Sequence, residues 1–191
     1  GNAFHTALCY PIIGEDILIT GAGPIGIMAA KVCQVIGARK VILTDINSER
    51  INLAKNLDIK LSYNIKQNTL ESIMELNNMK EGFDIGLEMS GSGKAFNDMI
   101  KVMNNGGKIA ILGIAPAVFE VNWNEIIFKM LTIKGIYGRE MYETWYKMIA
   151  LIQSGFNIKN IITHKFHYTE FEEAFKIMKQ GNCGKIILEW S

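Results

Sequence analysis

Short runs of apolar residues alternate along this chain with longer segments in which apolar residues recur at helical spacing. From Glu15 onward the short runs are rich in β-branched residues, as in strands that are buried on both faces. They predict six strands, at residues 16–20, 40–44, 62–64, 83–88, 108–112 and 131–137. The segments between them predict helices at residues 25–36, 48–57, 69–76 and 94–103. This alternation indicates an α/β protein with a parallel sheet.

The connections between these strands predict the order of the sheet. Crossovers between parallel strands are right-handed, so six strands joined by helices predict a doubly wound sheet in the order 3-2-1-4-5-6. Ligands bind such a sheet where the order reverses, which here is just beyond Thr20 and Glu88. We expect Ser48 to cap the second helix. Residues 140–153 and 169–180, with helical spacing, and a last strand at 185–189 do not extend the series cleanly.

Composition and charge narrow the range of partners. Of the 191 residues, 49% are hydrophobic, and 20 Lys and Arg against 19 Asp and Glu leave a formal net charge of +1. The chain can bury a core, but it lacks the basic excess that binds a phosphate backbone. Its longest weakly polar stretch, residues 17–30, is shorter than the roughly 20 apolar residues of a membrane span. We therefore expect neither nucleic acid nor a membrane as a partner.

The cysteines and histidines suggest no metal site. The three cysteines, Cys9, Cys33 and Cys183, are far apart and form no CxxC motif. We interpret them as small buried apolar residues in a reducing compartment, which predicts a cytoplasmic protein. The three histidines have no partner cysteine or carboxylate at ligand spacing.

A glycine-rich motif carries the predicted chemistry. Residues 21–26, GAGPIG, match G-x-G-x-x-G directly after the first strand and at the start of a helix. In this context Gly21 permits a tight turn, Gly23 lets the backbone approach a pyrophosphate, and Gly26 lets the helix pack closely on the strand. The helix N-terminus then presents N–H groups and a positive dipole end to the anion. The motif predicts a Rossmann-type dinucleotide site.

Two further positions refine this site. Asp45 ends the second strand about 20 residues past the motif, where a carboxylate accepts both ribose hydroxyls. A 2′-phosphate would meet like charge there, which favours NAD over NADP, although Arg50 is near enough in sequence to move over such a phosphate. After the fifth strand, Gly113 either lets backbone approach a nicotinamide ribose or simply makes a turn, and both interpretations stay open.

Several stretches together resemble the zinc-dependent medium-chain alcohol dehydrogenase family. They are ITGAGPIGIMAA, TDINSER, GFDIGLEMSG, MNNGGKIAILGI and GIYGREM, and the resemblance covers the whole chain. It implies a cytoplasmic homotetramer that oxidises L-threonine at its β-hydroxyl with NAD, giving L-2-amino-3-oxobutanoate and NADH. It also implies that Ile25 lies over the pyrophosphate turn and that Asp45 and Arg50 hold the adenosine side. The nicotinamide side would be lined by Leu112, Gly113, Ile114, Ile136 and Tyr137.

The resemblance also implies a second domain that carries the ligands of the catalytic zinc. In that family the Cys, His and Glu ligands of the catalytic zinc lie in a GroES-like domain that mostly precedes the cofactor domain. It therefore implies a leading segment 1–14 from the catalytic domain, an NAD-binding domain 15–160 and a C-terminal segment 161–191 on the catalytic-domain side. We therefore expect no catalytic residue and no zinc ligand in this chain, and we expect the chain alone to be inactive. Its uncovered apolar surface predicts a dimer or tetramer, in part through pairing of the sixth strand.

Other functions stay open at this point. One is an NAD-binding module that kept the fold and lost catalysis. Another is a related zinc polyol dehydrogenase. A methyltransferase also binds its cofactor at a Gly-rich turn after a first strand, but the third glycine, Gly26, before an apolar helix favours a dinucleotide.

Overall fold

A parallel sheet forms the centre of the molecule, whose residues 1–181 and 183–191 are described by a computed structural model. Its strands are β1 Asp16–Thr20, β2 Lys40–Asp45, β3 Ser62–Asn64, β4 Phe83–Glu88, β5 Met103–Ile111 and β6 Thr132–Gly135. They form one six-stranded sheet in the order β3-β2-β1-β4-β5-β6, with every neighbouring pair parallel. The predicted fold class and strand order are confirmed.

Helices cover both faces of this sheet, and a smaller sheet follows it. The helices are α1 Asn2–Ala7, α2 Pro24–Ile36, α3 Ser48–Asn56, α4 Leu70–Leu76, α5 Gly93–Val102, α6 Trp123–Phe128, α7 Glu143–Gln153 and α8 Phe171–Gln180. A two-stranded parallel sheet pairs β7 Ile162–His167 with β8 Lys185–Glu189. Within residues 1–181 and 183–191, no helix is long and apolar enough to cross a bilayer.

The central strand β1 explains why the core has two sides. Successive side chains of a strand point to opposite faces. Ile17 and Ile19 therefore pack in one cluster with Ile27 of α2, whereas Leu18 packs in the other with Phe96 of α5. Ile17, Leu18 and Ile19 are fully buried. Burial of each such side chain contributes roughly 1.5–3 kcal/mol, which is why a continuous apolar run specifies this position in the sheet.

The N-cap of α3 differs from the predicted one. Asn47, and not Ser48, precedes the helix, and its side chain accepts hydrogen bonds from the N–H groups of Glu49 (2.8 Å) and Arg50 (3.4 Å). The Ser48 hydroxyl accepts a 2.7 Å bond from the Asn64 amide at the end of β3. Both residue types cap helices well, but here the Ser48 hydroxyl is engaged by Asn64 of β3, and Asn47 caps the helix.

The junction between α5 and β5 is tighter than predicted. The helix ends at Val102, and β5 begins at once with Met103, with a shift in register against β4 between Phe83 and Ile85. The Lys129 ammonium donates to the carbonyls of Ile100 and Met103, each at 3.1 Å, and also to that of Lys101. A cation at the C-terminus of a helix satisfies orphan carbonyls and interacts favourably with the helix dipole.

Three elements were missed by the hydrophobic pattern. The six-residue helix α1 buries Ala3, Phe4 and Ala7 in the main core. The equally short α6 buries no residue. In β7, ITHKFH, intermediate and exposed positions alternate, so histidine and lysine interrupt the apolar run that reveals a buried strand.

Candidate functional site

The sheet order reverses between β1 and β4, and the loops after these strands touch there. Gly21 has a φ of +96°, and a Cβ on it would lie 2.9 Å from the backbone nitrogen of Ser90 in the loop after β4. The Gly21 N–H donates to the carbonyl of Thr44 in β2 at 2.8 Å. Both the backbone conformation and the close approach require glycine, as the motif predicts.

The start of α2 lies directly against this turn. A Cβ on Gly26 would overlap the carbonyl oxygen of Gly21, so the helix packs on the turn only with glycine at this position. At Gly23, by contrast, a Cβ would meet no atom within 4 Å. The space beside Gly23 is open for a ligand. Ile25, in the first turn of α2, is 39% exposed beside it.

The N-terminus of α2 suits an anion. Gly23 is its N-cap, Pro24 follows, and no side chain of the described residues caps the helix. The first N–H groups of a helix have no intrahelical partner, and the dipole places partial positive charge there. Proline has no N–H, so the free donors begin at Ile25. These groups fit the pyrophosphate of a dinucleotide.

Asp45 connects the glycine-rich turn to the start of α3. Its Oδ2 accepts a 2.7 Å bond from the Ala22 N–H, and its Oδ1 accepts a 2.8 Å bond from the Asn47 N–H. The side chain is only 5% exposed, and Arg50 Nη1 lies 3.6 Å from Oδ2. An ionised carboxylate has about four acceptor positions, so these contacts leave capacity for a ribose hydroxyl. Asp45 therefore shapes the turn and still has an oxygen lone pair for the ribose hydroxyl that the sequence predicts as its partner.

On the opposite side of the reversal point, the segment after β5 packs on the loop after β4. The N–H groups of Leu112 and Gly113 donate to the Glu88 carbonyl at 2.9 and 3.0 Å. A Cβ on Gly113 would overlap the Gly91 backbone and the Glu88 carboxylate. The close approach that requires glycine at position 113 is thus made to neighbouring protein atoms, and a role for its backbone beside a nicotinamide ribose stays a prediction.

The other residues expected near a nicotinamide differ strongly in exposure. Ile114 is 86% exposed and Tyr137 is 97% exposed. Ile136 is buried, and its N–H donates to the Ile111 carbonyl at 2.8 Å, continuing the line of β6. The predicted set therefore meets along the C-terminal ends of β5 and β6, with two apolar side chains uncovered.

Glu88, at the end of β4, has a buried carboxylate that accepts several hydrogen bonds from the following loop. Its side chain is buried, and Oε1 accepts from the N–H groups of Ser90 (2.9 Å) and Gly91 (3.1 Å), from Thr20 Oγ1 (3.3 Å) and from the Ser90 hydroxyl. The carboxylate thereby holds the loop after β4 against β1. The position of this acidic residue at the end of a buried strand is the sequence signal for such a structural acceptor.

The histidines are engaged in local contacts. His5 Nδ1 lies 3.3 Å from the Gly138 carbonyl, and its Nε2 lies 3.9 Å from the Glu140 carboxylate. The rings of His164 and His167 contact the hydroxyls of Thr163 and Thr169 at 2.8 and 2.7 Å. In residues 1–181 and 183–191, no three His, Cys, Asp or Glu side chains are arranged to hold a metal ion.

The cysteines also do not fit a zinc site. Burial raises the pKa of the Cys9 thiol to about 11 and that of the Cys33 thiol to about 12. Thiols with such high pKa values are neutral at ordinary pH, whereas a thiol must ionise to bind zinc or to act as a nucleophile. Cys183 is a free buried thiol. The residues described here do not fit a catalytic zinc.

Comparison with known proteins agrees with this geometry. Residues 24–154 match the family described as zinc-binding dehydrogenase. The chain is 58% identical over 190 residues to the L-threonine 3-dehydrogenase of Chelativorans sp. (strain BNC1), covering 100% of this chain and 55% of the relative. The chain thus spans about half the length of the curated relatives it matches.

Solved structures share the fold at lower identity. Alcohol dehydrogenase TADH from Thermus sp. ATN1 superposes with a TM-score of 0.88 at 24% identity, over 100% of this chain and 55% of that one. A short chain alcohol dehydrogenase from E. coli CFT073, complexed with cofactor NADH, gives 0.84 at 21% identity, over 99% and 58%. Both comparisons concern the fold alone.

Proposed function

The chain belongs to the zinc-binding dehydrogenase family, and we propose that it is the NAD-binding portion of an enzyme that oxidises L-threonine with NAD to L-2-amino-3-oxobutanoate and NADH. One observation carries the cofactor assignment. The N-terminus of α2, which no described side chain caps, meets open space at Gly23 where the sheet order reverses. The 58% identity to a relative named L-threonine 3-dehydrogenase supports the substrate.

Each part of the site has a proposed role toward NAD. Gly21, Gly23, Ile25 and Gly26 form the pyrophosphate turn, where N–H groups of α2 bind the anion. Asp45 accepts the ribose hydroxyls, and Arg50 lies on the adenosine side. The nicotinamide side is lined by Leu112, Gly113, Ile114, Ile136 and Tyr137. Bound NAD supplies the hydride acceptor, and these residues bind and orient it.

The rest of the reaction is assigned outside these residues. We propose that the zinc ligands lie in the part of the protein that this chain does not include, so that no residue here is catalytic and the chain alone is inactive. A zinc ion polarises the alcohol oxygen and lowers its pKa. We propose the division into 1–14, 15–160 and 161–191, and the separate sheet of β7 and β8 supports the last segment. The leading segment 1–14 packs through α1 in the core of the NAD-binding domain.

The assembly and location are proposed on the same basis. We propose a homo-oligomer, specifically a tetramer. Exposed apolar side chains near the edge strand β6, among them Met130 and Tyr137, support association between copies of the chain. A clean monomer in gel filtration at high concentration would contradict this. We propose NAD and L-threonine as small-molecule partners and the cytoplasm as the location, since the three cysteines are free thiols.

Calorimetric titration of this chain with NADH and with NADPH tests the cofactor assignment. We expect saturable NADH binding and at least about tenfold weaker NADPH binding, because a 2′-phosphate would approach the buried Asp45 carboxylate. Equal binding, or binding of neither, contradicts the assignment. For the substrate, the complete protein should form NADH with L-threonine. Faster turnover of a polyol would indicate the related polyol dehydrogenase, and no turnover would indicate a non-catalytic module.

A further inference from the structure

The Arg50 guanidinium joins two parts of the chain that are distant in sequence. Its Nε donates a 3.0 Å hydrogen bond to the carbonyl of Gly181, which is 131 positions away. Its Nη1 lies 3.6 Å from Asp45 Oδ2. The Asn47 amide donates to the same Gly181 carbonyl at 3.5 Å. The end of α8 is therefore held at the first turn of α3 by two separate side chains.

Gly181 is suited to this contact for two reasons. It ends α8 with a φ of +75°, a conformation that glycine adopts without strain. A Cβ at this position would lie 2.9 Å from Arg50 Nη2, so a side chain there would displace the guanidinium. Carbonyls at a helix C-terminus carry partial negative charge and attract cations. The contact thus places the guanidinium beside Asp45.

We propose that the Gly181 carbonyl positions Arg50 for NAD and restrains it from binding the 2′-phosphate of NADP. A guanidinium binds phosphate well when it is free to turn its donors toward it. Here Nε is occupied by the carbonyl, and Nη1 faces Asp45. The segment that contains α8 thereby becomes part of cofactor selection. This inference rests on the proposed function, because it concerns the same cofactor site.

Replacing Gly181 tests the proposal against a matched control. Gly155 also has a positive φ, +105°, but a Cβ there would meet no atom within 4 Å. Both Gly181→Ala and Gly155→Ala place a methyl group on a backbone with positive φ, and the strain is greater at position 155, but only Gly181→Ala crowds Arg50. By calorimetry we expect Gly181→Ala to raise the Kd for NADH about fivefold and to reduce the preference for NADH over NADPH at least about threefold. Gly155→Ala should leave both within about twofold.

A double-mutant cycle separates positioning from a general structural effect. If Gly181 acts through Arg50, Gly181→Ala changes the Kd for NADH in the wild-type background but not beside Arg50→Ala. The same fold-change in both backgrounds, or equal effects of Gly181→Ala and Gly155→Ala, overturns the inference. Should Gly181→Ala fail to fold, Arg50→Lys can replace it, because it removes the Nε donor while keeping the charge. It should reduce the preference for NADH over NADPH by as much as is expected for Gly181→Ala.

The same titrations distinguish a failure of the cofactor site from a failure of the positioning role of Gly181. If the unaltered chain binds neither dinucleotide, the proposed cofactor site fails, and the inference about Gly181 fails with it. If the unaltered chain prefers NADH and neither Gly181→Ala nor Arg50→Lys changes that preference, only the positioning role is wrong.

Discussion

The proposed adenosine and nicotinamide sides of the candidate site are built in different ways. On the adenosine side, Asp45 is 5% exposed, and it contacts two backbone N–H groups and the Arg50 guanidinium. On the nicotinamide side, Ile114 and Tyr137 are 86% and 97% exposed. The first region is organised by polar contacts within this chain, whereas the second presents apolar side chains to solvent.

This difference suggests how affinity is divided between the two sides. Groups already held in their binding geometry lose little freedom when a ligand arrives, so they provide most of the binding energy. Exposed apolar side chains contribute once something covers them and removes water. We therefore expect the turn and Asp45 to dominate NADH binding by this chain, and Ile114 and Tyr137 to matter little until a further surface closes over them.

The largest effect is expected within the glycine-rich turn. Gly26→Ala would push a methyl group into the Gly21 carbonyl, and the strain should lower the free energy of unfolding by about 3 kcal/mol. Urea denaturation measures this loss. Gly23→Ala is the control, because its Cβ meets no atom within 4 Å. It should change stability by less than about 1 kcal/mol yet weaken NADH binding at least about tenfold, since the methyl group enters the space assigned to the pyrophosphate.

Equal stability of the two glycine variants would show that the turn is not tightly packed. Unchanged NADH binding by Gly23→Ala would remove the pyrophosphate from this position.

A smaller effect is expected at Asp45. Asp45→Ala leaves the buried Ala22 N–H without its 2.7 Å acceptor, which should cost about 2 kcal/mol of unfolding free energy. NADH binding should weaken at least about tenfold, because the ribose loses its acceptor. Asp98→Ala is the comparison, since Asp98 pairs with the exposed lysines Lys94 and Lys101. It should cost less than about 1 kcal/mol and leave NADH binding unchanged.

If Asp45→Ala lowered stability but left NADH binding intact, the carboxylate would be a structural residue only. The adenosine side would then owe its affinity to Arg50 or to the turn.

How far the sequence predicts this molecule depends on the kind of contact. The strands β1 and β4 are buried along almost their whole length, and their predicted bounds agree with the structure because burial on both faces leaves no alternative register. The turn at 21–26 is equally local, since three glycines at fixed spacing specify its geometry. Local patterns therefore predicted the sheet and the point at which its strand order reverses.

The contacts that the sequence did not predict are formed between distant segments. The bond from Arg50 to Gly181 joins α3 to the end of α8, which lies between β7 and β8 in the chain, and β7 itself was missed since polar residues interrupt it. Asn47 rather than Ser48 caps α3 because Ser48 is bonded to Asn64 on β3. Propensity ranks these neighbouring residues equally, and tertiary packing decides between them.

The smallest effect is expected on the exposed nicotinamide side. Tyr137→Ala should change the free energy of unfolding by less than about 0.5 kcal/mol, because a side chain that is 97% exposed loses few contacts. It should raise the Kd for NADH only about two- to threefold in this chain. Tyr146→Ala, at a position that is 77% exposed on α7, is the matched aromatic control and should leave NADH binding unchanged. Calorimetry that found Tyr137→Ala as damaging as Asp45→Ala would mean that both sides of the site are organised within this chain, and the contrast between them would fail.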